Sequence, residues 1–195
     1  MLNILNWIAV LLLLASGAGL LLSRDWRWNL GLLAAQYLGV FWLTYAHWPI
    51  AMASVKLVTG WMACAALGMT QVGLAEPASG ETAWPQSRLF RVAAAGLVWT
   101  TSLALAFQTS AWLGINLPVA WGSLLLMGMG MLILGLTAQP LRIVIGLLTL
   151  LAGFEILYAA VETSALVAAL LAAITLGLAL AGAYLINAGT PEETE

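Results

Sequence analysis

The sequence predicts an all-α membrane protein, a polytopic bundle of about seven transmembrane helices. Its 195 residues are 63% hydrophobic and only 7% charged, whereas ordinary globular domains carry about 25% charged residues. Apolar runs of about 18 residues or more recur along almost the whole chain, and each is long enough to cross a bilayer as a helix. A transmembrane β-barrel would instead alternate polar and apolar residues over ~10-residue segments, and no such alternation is present.

Seven predicted spans follow one another along the chain, joined by short turns and one long loop. They cover residues 2–23, 28–45, 50–71, 90–110, 118–137, 141–161 and 164–186. We expect the first span to be retained, because no Lys or Arg precedes it and its apolar run exceeds the ~7–15 residues of a signal-peptide core. The chain then divides into spans 1–3 (1–71), a polar cytoplasmic loop (72–89), span 4 (90–110), spans 5–7 (118–186) and an acidic tail (187–195).

The arginines predict the orientation of these spans. With the N-terminus outside, the connections between spans 1 and 2, 3 and 4, and 5 and 6 face the cytoplasm. Those three regions hold all the arginines: Arg24, Arg27, Arg88, Arg91 and Arg142. The other connections carry no Lys or Arg, so the distribution follows the positive-inside rule. It predicts an external N-terminus and a cytoplasmic C-terminal tail.

Two residue types predict how the spans meet the interface and one another. Tryptophans near span ends are typical of the aromatic belts at a membrane surface. We expect such anchors at Trp7, Trp48, Trp112 and Trp121 on the outer side, and at Trp26 and Trp28 on the inner side. Glycines in a transmembrane helix allow close approach of a second helix, from the same chain or from another subunit. Span 5 contains Gly122, Gly128, Gly130 and Gly135.

Residues 27–33, RWNLGLL, align with residues 142–148, RIVIGLL. The alignment places spans 1–3 over spans 5–7 in the same orientation, with span 4 as a connector. It predicts a parallel three-helix repeat, an arrangement found in membrane transport proteins. Chance similarity between leucine-rich helices is the alternative.

Glu155 is the residue that most strongly predicts function, because it lies deep inside the apolar run 141–161. Counted from Arg142 at about 1.5 Å per residue, it lies ~20 Å into a hydrocarbon core of ~30 Å. An ionised, unpartnered carboxylate there costs about 2.5–3.5 kcal/mol on insertion scales. Glu155 is either a group that exchanges a proton or binds a cation along an ion pathway, or a protonated Glu that links two helices by one hydrogen bond.

Lys56 is the second candidate, ~10 Å below the predicted outer interface. Its long stem could extend to the membrane surface. Alternatively it is buried, where it relays protons or pairs with a carboxylate, and Glu155 is the plausible partner within the membrane. His47 and Glu162 fall in outer turns, either as solvated loop residues or as an exit for protons. Gln36, well inside span 2, is predicted to bond to a neighbouring helix.

Other chemistries are excluded by counting. One Cys and one His rule out a disulfide framework, bis-histidine haem ligation and iron–sulfur ligation within one chain. The sequence has neither a Gly-rich phosphate loop nor a nucleophile with a base at recognisable spacing. The net charge of −2 does not indicate a nucleic-acid partner. We therefore expect no catalytic centre, cofactor or metal site of the chain's own.

The last three spans resemble the small three-helix K-type subunit of complex I. The residues that carry the resemblance are Gly153-Phe154-Glu155-Ile156 and the Ala-rich continuation, where that family has Gly-Leu-Glu-Ile-Met in its middle helix. Residues 168–180 are similar to the family's third helix. That helix usually holds a second membrane-embedded Glu, whereas this chain offers only Thr175, so a two-carboxylate relay within the unit is not supported.

The whole chain resembles component E of hydrogenase-4-type complexes, and residues 55–58, VKLV, resemble the Lys-bearing helix of that group. The C-type subunit of multi-subunit cation/proton antiporters belongs to the same superfamily. The resemblance implies that Glu155, with Lys56 as a second residue, lies on a proton path shared with antiporter-like membrane subunits. It also implies a small integral subunit in a bacterial inner membrane, or in a thylakoid membrane. A structural or assembly subunit and a stand-alone small transporter are the competing interpretations.

Overall fold

Seven α-helices form the protein in a computed structural model, which describes residues 2–23, 25–72 and 88–188. The helices are α1 Leu2–Leu22, α2 Trp26–Tyr45, α3 Ile50–Val72, α4 Arg88–Leu113, α5 Leu117–Leu136, α6 Pro140–Val161 and α7 Ala165–Ala188. The predicted all-α class is confirmed, and the helices match the predicted spans to within a few residues. Most of the predicted loop (73–87), Arg24 and most of the acidic tail (189–195) lie outside the described residues.

Local chemistry explains where several helices begin. The Asp25 side chain accepts a hydrogen bond from the backbone N–H of Arg27 at 2.9 Å, which caps the N-terminus of α2. Pro118 and Pro140 lie in the first turns of α5 and α6, where a missing N–H costs nothing. Between α4 and α5, Gly114 adopts a φ of 67°, a left-handed conformation that glycine tolerates best.

Six of the helices are long and apolar enough to cross a membrane, and α2 is the exception. It is 20 residues long but carries Asn29, Gln36 and Thr44, each 2% exposed or less. These polar side chains face the inside of the bundle, where α2 packs against α1, α3 and α6. Its lower hydropathy therefore reflects a polar interior face.

The helices pack in two rows of three. In one row α2 lies between α1 and α3, and in the other α6 lies between α5 and α7. Each helix of the first row contacts its counterpart in the second: α1 with α5, α2 with α6, and α3 with α7. The remaining helix, α4, packs on α5 and α1 at the side of the bundle. This arrangement places α2 and α6 at the centre.

The span-5 glycines mediate close packing within this chain. A Cβ built on Gly130 would lie 2.6 Å from the backbone nitrogen of Leu150 in α6. On the facing helix, a Cβ on Gly153 would lie 2.6 Å from the carbonyl oxygen of Ser123. The backbones of α5 and α6 therefore touch at these two points. Gly135, in contrast, has open space around it among the described residues.

Two arginines tie one end of the bundle together. Arg91, in the first turn of α4, donates from Nη1 to the carbonyl oxygen of Leu21 at 3.3 Å. Arg142, at the start of α6, donates to the carbonyls of Leu20, at 3.3 Å, and Ser23. These carbonyls belong to the C-terminal end of α1, where backbone acceptors lack helical partners and cations are favoured. We call this end of the bundle the arginine end, and the opposite end, which holds the turns 46–49 and 162–164, the Trp48 end.

Candidate functional site

The structure brings Lys56 and Glu155 together. Lys56 Nζ of α3 lies 2.6 Å from Glu155 Oε1 of α6, and each residue is only 1% exposed. Lys56 therefore reaches into the bundle rather than toward the membrane surface. Each residue lies six positions from the Trp48 end of its helix, a depth of about 9 Å. The pair is a buried, charge-assisted contact between two helices.

Thr175 of α7 is a second polar group in contact with Glu155. Its Oγ1 lies 3.4 Å from Glu155 Oε1 and 2.9 Å from the carbonyl oxygen of Leu171. A hydroxyl has one proton to donate, so it serves the Leu171 carbonyl or Glu155, but not both at once. Thr175 stands where the resembled family has a second Glu, and here it contacts the first one.

Sequence reasoning missed Tyr37, which α2 contributes beside the pair. Its ring is 2% exposed and fills the space above Gly60, so that even a Cβ at Gly60 would collide with it. It also lies close enough to Glu155 and Cys64 to interact with them electrostatically. The available signal was the spacing of Lys56, Gly60 and Cys64, since residues four apart share one face of a helix. A glycine on such a face indicates a bulky neighbour from another helix.

Five further side chains hold a buried polar atom without a hydrogen-bond partner among the described residues: Asn29, Gln36 and Thr149, and Trp99 and Trp121 at their indole Nε1. Gln36 is fully buried, and neither its Oε1 nor its Nε2 finds a hydrogen-bond partner among the described residues. The predicted hydrogen bond from Gln36 to a neighbouring helix is therefore not formed. Asn29 Oδ1 and Thr149 Oγ1 are unpartnered in the same way. Leaving such a group without a hydrogen bond costs about 1–3 kcal/mol of folding free energy.

His47 and Glu162 lie at the Trp48 end, and the structure does not bring them to the Lys56–Glu155 pair. His47 Nδ1 is 3.5 Å from the carbonyl oxygen of Leu43. The exposed carboxylate of Glu162 accepts a hydrogen bond from the backbone N–H of Thr163 at 3.2 Å. Both contacts are local to their own turns.

Trp48, not His47, joins these two turns. Its indole Nε1 donates to the backbone carbonyl of Glu162 at 3.0 Å, and its ring meets that of Tyr158 edge to face. At 3% exposed it is buried, so the expectation that Trp48 anchors the chain at the membrane interface is wrong. It packs with Met52 and Ala159, which lie one helical turn from Lys56 and Glu155 respectively. An apolar cluster thus covers the pair at this end.

The chemistry available to the site is that of a single amine and a single carboxylate. In the described ranges, no three His, Cys, Asp or Glu residues cluster in a way that could hold a metal ion. No protein-family model matches the chain, and neither a curated protein nor a solved structure is significantly similar to it. The resemblance to K-type and component E subunits therefore stays a prediction from the sequence.

Proposed function

We propose that the chain is a small integral membrane subunit of a proton- or cation-translocating complex, in which Lys56 and Glu155 form one exchange step. The observation that carries the proposal is the ion pair itself, 2.6 Å long and almost inaccessible, between α3 and α6. Ionisable residues at membrane depth are typically paired and mark ion pathways.

The pair is suited to exchange because its net charge depends on one proton. With Lys56 protonated and Glu155 ionised the charges cancel. Adding a proton to Glu155, or removing one from Lys56, leaves a single net charge in a medium where an unpaired ion is costly. A charge on a neighbouring subunit or an arriving cation can therefore bias which state is populated, since electrostatic interactions are strong at low dielectric.

A subunit role fits the bundle better than a stand-alone transporter. Solute sites are usually cavities of about 300–1,000 Å³. An open surface depression of about 560 Å³ lies on α4, lined by Gln108, Thr109, Ala111 and Trp112, and it includes neither residue of the ion pair. The cavity at the arginine end, lined by residues that include Arg91 and Arg142, measures about 10 Å³. That is room for at most one water molecule. The resemblance to component E and K-type subunits supports the same choice, with antiporter-like subunits as partners.

The proposed membrane arrangement has seven spans, with α2 as an inward-polar span at the centre. The arginine end faces the cytoplasm, because the starts of α2, α4 and α6 present Arg27, Arg88, Arg91 and Arg142 there. The two rows are the proposed three-helix repeat. A bacterial inner membrane is the proposed location, with a thylakoid membrane as the alternative.

A structural role is the second candidate, and the same ion pair favours it. A Lys–Glu contact can simply hold α3 against α6 as interhelical glue, without exchanging protons. The two candidates differ in what neutralising Glu155 does to an assembled complex.

The Glu155→Gln variant decides between them. The chain would be purified in mild detergent with its partner subunits, and proton translocation would be measured after reconstitution into vesicles. Exchange predicts lost translocation in a complex that still co-isolates, both for Glu155→Gln and for the Lys56→Met, Glu155→Gln double variant, which leaves no unpaired buried charge. Glu162→Gln on the exposed turn should behave like wild type. A complex that assembles and translocates protons at the normal rate with Glu155→Gln would disprove the exchange role.

A further inference from the structure

The small cavity at the arginine end brings two arginine side chains together. Arg91 of α4 and Arg142 of α6 line it, and most of the remaining wall consists of leucine and isoleucine side chains of α1 and α5. The carbonyls to which the two guanidinium groups bond include those of Leu20 and Leu21, which line the same cavity. Its volume of about 10 Å³ accepts one oxygen-sized atom. Two cationic groups from different helices therefore flank a space for a single oxygen.

The contacts with α1 hold both guanidinium groups in place. Arg91 donates from Nη1 to the carbonyl oxygen of Leu21, and Arg142 donates from Nη2 to those of Leu20 and Ser23. A guanidinium carries five N–H donors, and its planar fork matches the oxygens of a phosphate or a carboxylate. Groups that are already positioned lose little conformational freedom when they bind an anion. The pair is therefore preorganised for an anionic oxygen.

The charge at this end also favours an anion. The segments that join helices here carry all five arginines of the chain against three carboxylates, Asp25, Glu76 and Glu81. The C-terminus of α1 offsets only about half a charge. Asp25 caps α2 through the backbone N–H of Arg27. Among the described residues no carboxylate forms a salt bridge with Arg91, which is 9% exposed.

The surface beside Arg91 is suited to acyl chains. Leu89 and Val92, within one turn of Arg91 on α4, are 82% and 52% exposed. Leu97, further along α4 toward the middle of the bundle, is exposed as well. A phospholipid has the same sequence of chemistry, with an anionic phosphate at the membrane boundary and apolar chains below it. A carboxylate on a hydrated loop or tail would leave this apolar surface unused.

We propose that Arg91 and Arg142 bind the phosphate of an anionic phospholipid in the leaflet at the arginine end. One phosphate oxygen enters the cavity between the two arginines, the rest of the headgroup stays outside it, and an acyl chain lies along the exposed side of α4. Basic pockets between transmembrane helices on the cytoplasmic side bind anionic lipid headgroups. The proposal rests on the proposed membrane arrangement and not on proton exchange by the Lys56–Glu155 pair, so either can fail without the other.

Native mass spectrometry tests the site. The full-length chain would be delipidated in mild detergent and titrated with phosphatidylglycerol, which is anionic, or with zwitterionic phosphatidylcholine. The dissociation constant for phosphatidylglycerol should be about tenfold lower or more. Arg91→Gln and Arg142→Gln should each weaken phosphatidylglycerol binding about tenfold, because each removes charge-assisted hydrogen bonds to the phosphate. Arg91→Lys keeps the charge but loses the fork, and should recover only part of the affinity.

Arg88→Gln is the matched control. It removes the same charge one turn away on α4, from an exposed residue that does not line the cavity. It should change the dissociation constant for phosphatidylglycerol less than about threefold, since an exposed charge is screened by solvent and salt. Should Arg142→Gln fail to accumulate because Arg142 also holds the end of α1, Arg91→Gln and Arg91→Lys decide.

Two results would assign the arginines to something other than a lipid. If inorganic phosphate at millimolar concentration displaces phosphatidylglycerol completely, the site takes a soluble phosphate. If Arg88→Gln weakens lipid binding as much as Arg91→Gln does, the chain attracts anionic lipid only through its general surface charge. Either result would overturn the proposal.

The chain's own carboxylates are the remaining competitors. They are the loop residues Glu76 and Glu81 and the tail residues Glu192, Glu193 and Glu195. A wild-type chain without a preference for phosphatidylglycerol would show that the proposal is wrong. If replacing the loop or tail glutamates by Gln then creates that preference, the occupant of the site is a carboxylate of this chain.

Discussion

Replacing Lys56 by Met and Glu155 by Gln, singly and together, should reveal both what the ion pair contributes to stability and whether it exchanges protons. The two groups are 2.6 Å apart and almost fully buried. At an effective dielectric constant of ~20, charges at that distance attract by about 6 kcal/mol. Removing each ion from water costs several kcal/mol, on the order of the attraction itself, so the net contribution of the pair is small.

The single and double variants should therefore be strongly non-additive. Lys56→Met or Glu155→Gln alone leaves one buried charge without its counter-ion and should destabilise the bundle by about 3–5 kcal/mol. The double variant leaves no charge and should return close to wild-type stability. The coupling energy of such a cycle isolates the interaction between the two side chains. Reversible unfolding in mixed micelles, followed by circular dichroism, measures all four free energies of unfolding.

Translocation in the reconstituted complex supplies the functional half of the experiment. If the pair exchanges protons, the double variant regains stability without regaining translocation, because no protonatable group remains at the site. A double variant that regains both would show that the pair is only a link between α3 and α6. Single variants that each lose less than about 1 kcal/mol, and simply add, would contradict the buried contact itself.

Three other changes test the packing and the topology. Gly130→Ala should lower the free energy of unfolding by about 1–3 kcal/mol, because its Cβ meets the α6 backbone. Gly135→Ala should be neutral or slightly stabilising in thermal unfolding. Equal effects of the two changes would contradict the close α5–α6 approach. Trp48→Phe should lower the free energy of unfolding by about 1 kcal/mol through the lost hydrogen bond to Glu162, and the 89% exposed Trp112 should tolerate the same change. Unchanged stability of the Trp48→Phe variant would show that Trp48 lies outside the core. Reporter domains fused to the two termini should lie on opposite sides of the membrane, with the C-terminal one cytoplasmic; the same side for both would exclude seven spans.

Hydropathy was sufficient to predict the all-α membrane bundle and the approximate helix boundaries, since about 20 apolar residues in a row leave few other structures possible. It was least informative for α2, the helix with the most polar interior face. There the turns on either side, at Asp25 and at His47-Trp48-Pro49, marked the helix better than its composition did.

The roles of individual side chains were predictable only where burying the side chain costs a large free energy. Glu155 was found because a carboxylate at that depth demands an explanation. Its contact with Lys56 could only be suggested, since the two lie 99 residues apart in sequence. Tyr37 and Trp48 were missed or misassigned, because an aromatic residue in a membrane protein looks the same in sequence whether it faces lipid or another helix.

The sequence by itself was enough to predict a helical protein suited to a lipid environment. It also identified Glu155, a carboxylate that a membrane interior does not tolerate without a partner. These follow from transfer free energies, which act residue by residue. The tertiary structure alone decided which helices meet. It placed Lys56 against Glu155 and Trp48 against the backbone of Glu162, and it left the amide of Gln36 without a hydrogen-bond partner among the described residues. Such placements depend on how side chains of different helices interdigitate, and no local pattern of apolar residues encodes that.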